Sequence, residues 1–294
     1  MHRLCAVLLA ALLGFSTSAW ADWRQEVPVL RVGVMTGPNA TYRLGQLEPF
    51  RFYLEGKLMV PVELVPLPDY PAVIDAQASK RIHYAIESAG AYAMAVAACN
   101  CVQPLAVPAR EGGESGFHAV LLARADTTIR SLADVKDARL ALAGKDSVAG
   151  RLLPLKALAK EGVEPAEIVD SPDPSAAVRA LLSGEADLAA AWSSLGGNRA
   201  EGYSFGTLRD LVAEGALSMD DVRVVWQSAL VPFGPHVVGS GLPGELKDRL
   251  RESLLAMAVE SPAAYDAVDR AGGQGFVAVK AEAFAPVLEL VKPD

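Results

Sequence analysis

The feature of this sequence that most constrains its fold is a repeated alternation between short apolar segments and longer segments of helical periodicity. Val29–Met35, Val62–Val65 and Tyr84–Ile86 have the length and composition of buried strands, and helical patterns such as Pro71–Ser79 separate them. A helix between two consecutive strands places those strands parallel in one sheet. The chain is therefore predicted to adopt an α/β fold with mostly parallel strands.

Two segments interrupt this alternation and predict a division into two lobes. The first is REGGESG, Arg110–Gly116, and the second is LVPFGP, Leu230–Pro235. Dividing the chain there gives a first lobe of residues 22–114 plus 229–294 and a second lobe of residues 115–228. Two hinge crossings between two lobes leave a cleft, which is where small ligands usually bind.

The first 21 residues have the three-part pattern of a secretory signal peptide. His2 and Arg3 form a basic start, and the apolar segment Leu4–Leu13 is too short to span a bilayer. A cleavage site, Ala19-Trp20-Ala21, follows it. We expect cleavage after Ala21 and export of a soluble mature chain to the periplasm.

The composition of the chain excludes two classes of protein. Hydrophobic residues make up 51% and charged residues 21%, so a packed core is expected and disorder is not. The formal net charge is -8 without any run of basic residues, whereas a protein that binds nucleic acid needs a basic face. We therefore expect no nucleic-acid partner.

The cysteines and histidines do not form a recognisable catalytic or metal-binding set. Cys5 leaves with the signal peptide, so that Cys99 and Cys101 remain. This pair is either a small, strained disulfide or two half-buried thiols at a helix end. The 4 histidines are scattered, and the chain contains no P-loop, H-E-x-x-H or G-x-S-x-G motif. We expect no cofactor, no metal and no enzymatic activity.

Six blocks of sequence, taken together in their order and spacing, carry a family resemblance. They are LRVGVMTG, PFRFYLEGKLMVPVELVPLPDYPAVIDA, FHAVLLARADTTIRSLADVKDARLALAG, DSVAGRLLP, ALLSGEADLAAAW and RVVWQSALVPFGPHVV. Over nearly its whole mature length the chain resembles the phosphonate-, phosphite- and phosphate-binding periplasmic proteins of ABC transporters, which have the type II solute-binding fold. The resemblance implies a two-lobed protein that closes around a small oxyanion and delivers it to an ABC permease in the membrane. We expect a monomer whose partners are this small-molecule ligand and the permease.

The resemblance also implies that the segment Ser147-Val148-Ala149-Gly150 holds the ligand. A Ser-Thr-Ser-Gly run stands here in the family, and its hydroxyl groups and N–H groups bind the oxyanion at a helix start. Val148 and Ala149 lack the hydroxyls, which implies weaker phosphonate binding or a different ligand. Ser147 is alternatively a plain N-cap, and the two roles can coexist in part.

A second departure from the family lies at YAIESAGAYAM, where Gly-Pro or a similar pair is common and Glu87 and Ser88 stand here. If Glu87 faces the cleft, its charge opposes a bare anion but can hold an amine. Otherwise it caps a helix or is solvated, as a lone glutamate usually is. Ser88 either donates to the ligand or caps the following helix.

Five more residues are candidates for contacts with the ligand. Asp187 matches an acidic position that meets the amino group of an aminoalkyl phosphonate in some family members; the alternative is an ordinary turn aspartate. Tyr42, Tyr92 and Trp192 either line the cleft or belong to the core. Arg151 either offsets the charge of the anion or points to solvent.

The sequence leaves a second function open beside oxyanion import. The same closing movement can serve a ligand-sensing protein that binds a different small solute, amine-bearing or carboxylate, and docks to a membrane sensor. Neighbouring genes would separate the two hypotheses, because transport needs a permease pair and sensing needs a kinase.

Overall fold

The computed structural model describes residues 22–36, 39–269 and 273–292. The predicted signal peptide and its cleavage point lie outside these residues. Within them the chain forms two six-stranded sheets, each flanked by helices. The predicted α/β fold with two lobes is confirmed. No helix of the described part is both long and apolar enough to cross a membrane.

The first sheet combines parallel strands with strands that return antiparallel. In spatial order it consists of β12 (Phe276–Ala278), β4 (Val102–Pro108), β11 (His236–Gly239), β3 (Tyr84–Ile86), β1 (Leu30–Met35) and β2 (Val62–Leu67). β1 pairs in parallel with β2 and β3, whereas β11 is antiparallel to both of its neighbours. The helices of this lobe are α1 (Trp23–Glu26), α2 (Ala40–Gln46), α3 (Glu48–Leu58), α4 (Tyr70–Ala78), α5 (Ala89–Cys99), α9 (Gly244–Glu260), α10 (Pro262–Val268) and α11 (Ala285–Leu288).

The second sheet is built around an antiparallel strand, β5. Its strands are β5 (Gly116–Arg124), β6 (Arg139–Leu142), β7 (Glu167–Asp170), β8 (Leu188–Ser193), β9 (Val222–Gln227) and β10 (Val231–Pro232). β5 pairs antiparallel with β8 on one side and with β9 and β10 on the other, and β6 is parallel to β7 and β8. Three helices, α6 (Leu153–Glu161), α7 (Pro174–Ser183) and α8 (Thr207–Ala213), accompany it. One π-helical turn, Val148–Leu152, leads directly into α6.

The two crossings between the sheets lie side by side. The Phe233 N–H donates to the Ser115 carbonyl at 2.9 Å. A Cβ at Gly116 would lie 2.3 Å from the Val231 carbonyl oxygen, so only glycine allows the two segments to approach this closely. Val231 and Pro232 pair with β5, whereas the predicted division assigned residues 229–294 to the first lobe. The chain therefore returns to the first sheet slightly later than expected.

The sequence missed elements that are short or irregular. The short helix α2 begins at Ala40, with the Asn39 side chain accepting from the Tyr42 N–H at 3.3 Å. The three-residue strand β12, between α10 and α11, joins β4 at the edge of the sheet. Three residues are too few to show the period-two pattern of a strand.

The cores of the two lobes meet in a shared apolar cluster. It contains buried residues of α5 such as Tyr92, residues of the π-helical turn and α6 such as Ala149 and Leu153, and Phe284 and Val287 near the C-terminus. This inter-lobe cluster holds the start of α5 against the start of the π-helical turn. The site described below lies at this junction.

Candidate functional site

Ser147 is the N-cap of the π-helical turn that follows β6, and the first backbone N–H groups of this turn are unpaired. Its Oγ accepts from the Gly150 N–H at 3.1 Å, and its carbonyl accepts from both Arg151 and Leu152 at 3.0 Å. The predicted N-cap role is therefore present. The N–H groups of Val148 and Ala149 have no acceptor among the described residues, as expected for the first residues of a helix.

Ser88 forms a second helix start of the same kind in the first lobe. Its Oγ accepts from the Ala91 N–H at 3.0 Å, so it caps α5, and its side chain is exposed. The N–H groups of Ala89 and Gly90 lack acceptors among the described residues. A Cβ at Gly90 would lie 3.2 Å from Cγ2 of Val148, so the two helix starts are in contact.

This contact brings together two positive ends of helix dipoles. Like-signed ends repel each other, and an anion bound between them removes the repulsion and accepts from their free N–H groups. The junction of Gly90 and Val148 is thus suited to an anionic ligand. Neither helix start depends on a charged side chain for this property.

Gly150 fixes the geometry of the second start. It is buried, and a Cβ there would lie 2.6 Å from Cβ of Ala143 and 2.8 Å from Oγ of Ser147. Glycine is required because the turn packs directly against the end of β6. Arg151 adds to this packing: it donates to the Ala143 carbonyl at 2.6 Å and pairs with Asp170. The Arg151 guanidinium is therefore bound to residues of the second lobe and does not point only to solvent.

Glu87 stands next to this junction but is not solvated, so that alternative is wrong. Its side chain is only 3% exposed, and neither carboxylate oxygen accepts a hydrogen bond from any residue that the structure describes. Burial raises the pKa of Glu87 to about 7, and the nearby Gln77 amide opposes this shift only in part. Its charge in turn helps to raise the pKa of Tyr92, which burial lifts to about 12. Glu87 thus lies between α4 and α5, behind the helix start.

The structure does not bring Asp187 together with these residues. It precedes β8, and its carboxylate pairs with Arg139 at 2.9 Å; Arg139 opens β6, the neighbouring parallel strand. The Arg139 guanidinium also keeps the pKa of Asp187 below its usual value. Both groups lie at the amino ends of β6 and β8, whereas Ser147 follows the carboxyl end of β6. The carboxylate has its cation already, so a contact with a ligand amine has no support here.

The three predicted aromatic residues have different surroundings. Tyr92 is a core residue of the inter-lobe cluster, with its ring 4.7 Å from that of Phe284. Tyr42 is 64% exposed on α2, so its contact with a ligand stays a prediction. Trp192, at the carboxyl end of β8, is half-buried against Phe117, with ring centroids 5.7 Å apart.

Trp192 belongs to a group of half-buried rings that the sequence did not reveal. This aromatic group contains Phe117, Trp192, Phe205 and Phe233, whose neighbouring centroids lie 5.5 to 6.2 Å apart. Arg110 of the first crossing lies over the Phe233 ring at 5.2 Å and pairs with Asp269 at 3.3 Å. The sequence shows one of these rings, Phe233, next to the glycine and proline of the second crossing. Only the fold brings it together with the other three rings.

Two other kinds of site, a reactive thiol and a metal centre, have no support among the described residues. Cys99 and Cys101 form a disulfide, which settles the choice between a bridge and two free thiols. Among the described residues, no group of three or more His, Cys, Asp or Glu side chains is placed to hold a metal ion.

Known proteins of similar sequence point to one family. A family profile described as ABC transporter, phosphonate, periplasmic substrate-binding protein matches residues 39–284. A phosphate-import protein, PhnD, of Mycolicibacterium smegmatis is 26% identical over 252 residues, which cover 84% of this chain and 78% of that protein.

Solved structures show the same fold. XAC2383 from Xanthomonas citri, bound to a chloride ion, has a TM-score of 0.63 at 22% identity, over 90% of this chain and 96% of that one. PhnD1 from Prochlorococcus marinus, in complex with methylphosphonate, has a TM-score of 0.54 at 17% identity, over 90% and 97%.

Proteins of the matched family are substrate-binding components of importers rather than enzymes. They bind a small molecule in the periplasm and work with a permease in the membrane. The profile covers most of the sequence, including both helix starts at Ser88 and Ser147. The chain belongs to the family of periplasmic substrate-binding proteins of phosphonate ABC transporters.

Proposed function

We propose that this protein binds a small oxyanion of the phosphonate, phosphite or phosphate class and closes its cleft around it for delivery to an ABC importer. One observation carries the proposal: the two capped helix starts, one from each lobe, meet at Gly90 and Val148. A ligand held there contacts both lobes at once, which is the condition for closure on binding. The phosphate-import and methylphosphonate-bound relatives support an oxyanion of this class.

The donors for the oxyanion are backbone N–H groups. Ala89 and Gly90 supply two, and Val148 and Ala149 supply two more. A hydrogen bond to a charged acceptor contributes about 1.5–3 kcal/mol, so the loss of any one of these donors should weaken binding by about tenfold or more. Because Val148 and Ala149 carry no hydroxyl, simple phosphonates are expected to bind more weakly than at a Ser-Thr-Ser-Gly segment.

The first prediction tests the junction of the helix starts. Gly90→Asp places a carboxylate where the anion is proposed to lie, so binding of methylphosphonate and phosphate should fall at least 100-fold by calorimetry. Gly56→Asp is the matched control, because a side chain at Gly56 on α3 meets nothing within 4 Å. That variant should bind as the unaltered protein does.

The possible results distinguish a wrong location for the ligand from a wrong class of ligand. Tight binding by Gly90→Asp would place the ligand elsewhere. An unaltered protein that binds no phosphonate, phosphite or phosphate would refute the proposed ligand class, and a sulfonate or amine that bound instead would replace it.

A further inference from the structure

Glu87 lies between the proposed oxyanion site and the second crossing, and its backbone contacts both. It directly precedes Ser88, the N-cap of α5, and the two free N–H groups of this helix start follow. Its own N–H donates to the Pro235 carbonyl at 3.0 Å. A Cβ at Gly234 would lie 2.2 Å from the Glu87 carbonyl oxygen, so the crossing passes close to this residue. The backbone of Glu87 is therefore held on both sides.

The groups that surround the Glu87 side chain offer it no positive charge. From α4 comes the buried amide of Gln77, and from α5 comes Tyr92, whose phenol stays protonated because burial raises its pKa to about 12. At the start of β11, beside β3, His236 is neutral because burial lowers its pKa to about 3. Glu282 of the C-terminal segment, whose charge acts on Tyr92, is negative as well. Within the described chain, no lysine or arginine forms an ion pair with Glu87.

A carboxylate in such surroundings responds strongly to a further negative charge. Glu87 is buried without a donor among the described residues, so its ionised form is costly, and burial raises its pKa to about 7. Both forms are therefore populated near neutral pH. An anion at the start of α5 adds a second negative charge only a few residues away. Two unit charges about 10 Å apart, at an effective dielectric constant of about 20, change an equilibrium constant by roughly tenfold.

From this arrangement we infer that Glu87 sets the affinity of the oxyanion site from behind the start of α5: its ionised form weakens binding, and a bound oxyanion drives a proton from the solvent onto it. The inference rests on the proposed function and adds a regulation to the same site. Binding is tighter in mildly acidic medium than in alkaline medium. A ligand with two negative charges loses more affinity to ionised Glu87 than a ligand with one.

Calorimetry with methylphosphonate on the unaltered protein and on Glu87→Gln measures this coupling. Titrations at pH 7 in buffers of different ionisation enthalpy give the number of protons taken up on binding. The titration of the ligand itself contributes equally to both proteins, so the difference between them belongs to Glu87. The unaltered protein should take up roughly 0.4 proton more per ligand than Glu87→Gln.

The pH dependence of Kd gives the same comparison over a wider range. Between pH 5.5 and 8.5, Kd of the unaltered protein should rise by about tenfold more than Kd of Glu87→Gln. Glu63→Gln, at an exposed position of β2, is the matched control and should behave as the unaltered protein does in both experiments.

NMR of the unaltered protein observes the proton directly. With glutamate labelled at its carboxyl carbon, the Glu87 signal is the one that Glu87→Gln lacks. Its titration midpoint should lie about 1 pH unit higher at saturating methylphosphonate than without ligand.

The results also separate the inference from the proposed function. Equal proton uptake and parallel pH dependence in the two proteins, or a midpoint that methylphosphonate does not raise, would overturn the role of Glu87 and leave oxyanion binding intact. A folded Glu87→Gln that no longer binds would overturn it too, because the side chain would then hold the ligand directly. If the unaltered protein binds neither methylphosphonate nor phosphate at any of these pH values, both proposals fail.

Discussion

At the scale of single residues, Glu87 shows how a charge beside the proposed binding site can be unfavourable to folding. Its carboxylate is buried without a hydrogen-bond donor in the described part of the chain, and its pKa rises to about 7 from a usual value of 4.5. The native state therefore keeps a proton that the unfolded chain has already released. Between pH 4.5 and 7 this contribution to stability falls as the pH rises, and above pH 7 the full cost remains.

Glu87→Gln removes this cost while keeping the shape of the side chain. At pH 8 the variant should be more stable than the unaltered protein, by up to about 3 kcal/mol, and at pH 4.5 the difference should nearly vanish. Urea denaturation at the two pH values measures this. Glu63→Gln, at an exposed position of β2, should alter stability at neither pH. A gain for Glu87→Gln that is the same at both values would show that Glu87 is not protonated in the native state.

Single residues also show what the sequence can and cannot predict about the site. Ser147 and Ser88 were recognisable because an N-cap needs an oxygen side chain directly before an apolar helix. Asp187 was misleading, since sequence gives no information on which end of a strand faces the cleft or that Arg139 already pairs with it. The buried position of Glu87 was unpredictable for a similar reason: it depends on how α4, which carries Gln77, packs beside this residue, and only the fold determines that packing.

At the scale of elements, the start of α6 is shaped by its contact with β6. The π-helical turn lets both Arg151 and Leu152 donate to the Ser147 carbonyl, and it holds Gly150 against Ala143. The sequence predicted a helix beginning near Gly150 but not the wider turn before it. Periodicity cannot detect a single turn of this kind, because one turn is much shorter than the window of residues in which a helical period becomes visible.

Gly150→Ala tests whether this packing matters for stability and binding. The added methyl group would lie 2.6 Å from Cβ of Ala143, so the turn must move, at a cost of about 1–3 kcal/mol. Gly45→Ala on α2 is the control, because its methyl group meets nothing within 4 Å and alanine favours the helix by up to about 1 kcal/mol. Thermal denaturation should show a lower Tm for Gly150→Ala than for the unaltered protein, and no decrease in Tm for Gly45→Ala. An unchanged Tm and unchanged methylphosphonate binding in Gly150→Ala would contradict the geometry described for this turn.

At the scale of the whole molecule, the lobes are joined by more than their two crossings. The C-terminal segment packs on α5 through Phe284 and Tyr92, and it reaches the second lobe in the cluster with Ala149 and Leu153. The alternation of strands and helices predicted two lobes, but no local pattern indicated that residues after 280 return to the junction. Apolar contacts across the lobes hold the two helix starts together, and the repulsion between the positive ends of the two helices opposes this contact.

This balance predicts that an oxyanion shifts the molecule towards closure. A ligand that contacts both starts, at Ser88 and Ser147, binds the closed arrangement better and can shift the population only by that difference in affinity. Small-angle scattering at saturating methylphosphonate should therefore give a smaller radius of gyration than scattering without it. Gly90→Asp, measured at the same concentrations, should show a much smaller decrease, because its affinity for the anion is expected to be at least 100-fold lower. If calorimetry detects binding to the unaltered protein and its radius of gyration stays the same, the anion does not act by drawing the two helix starts together.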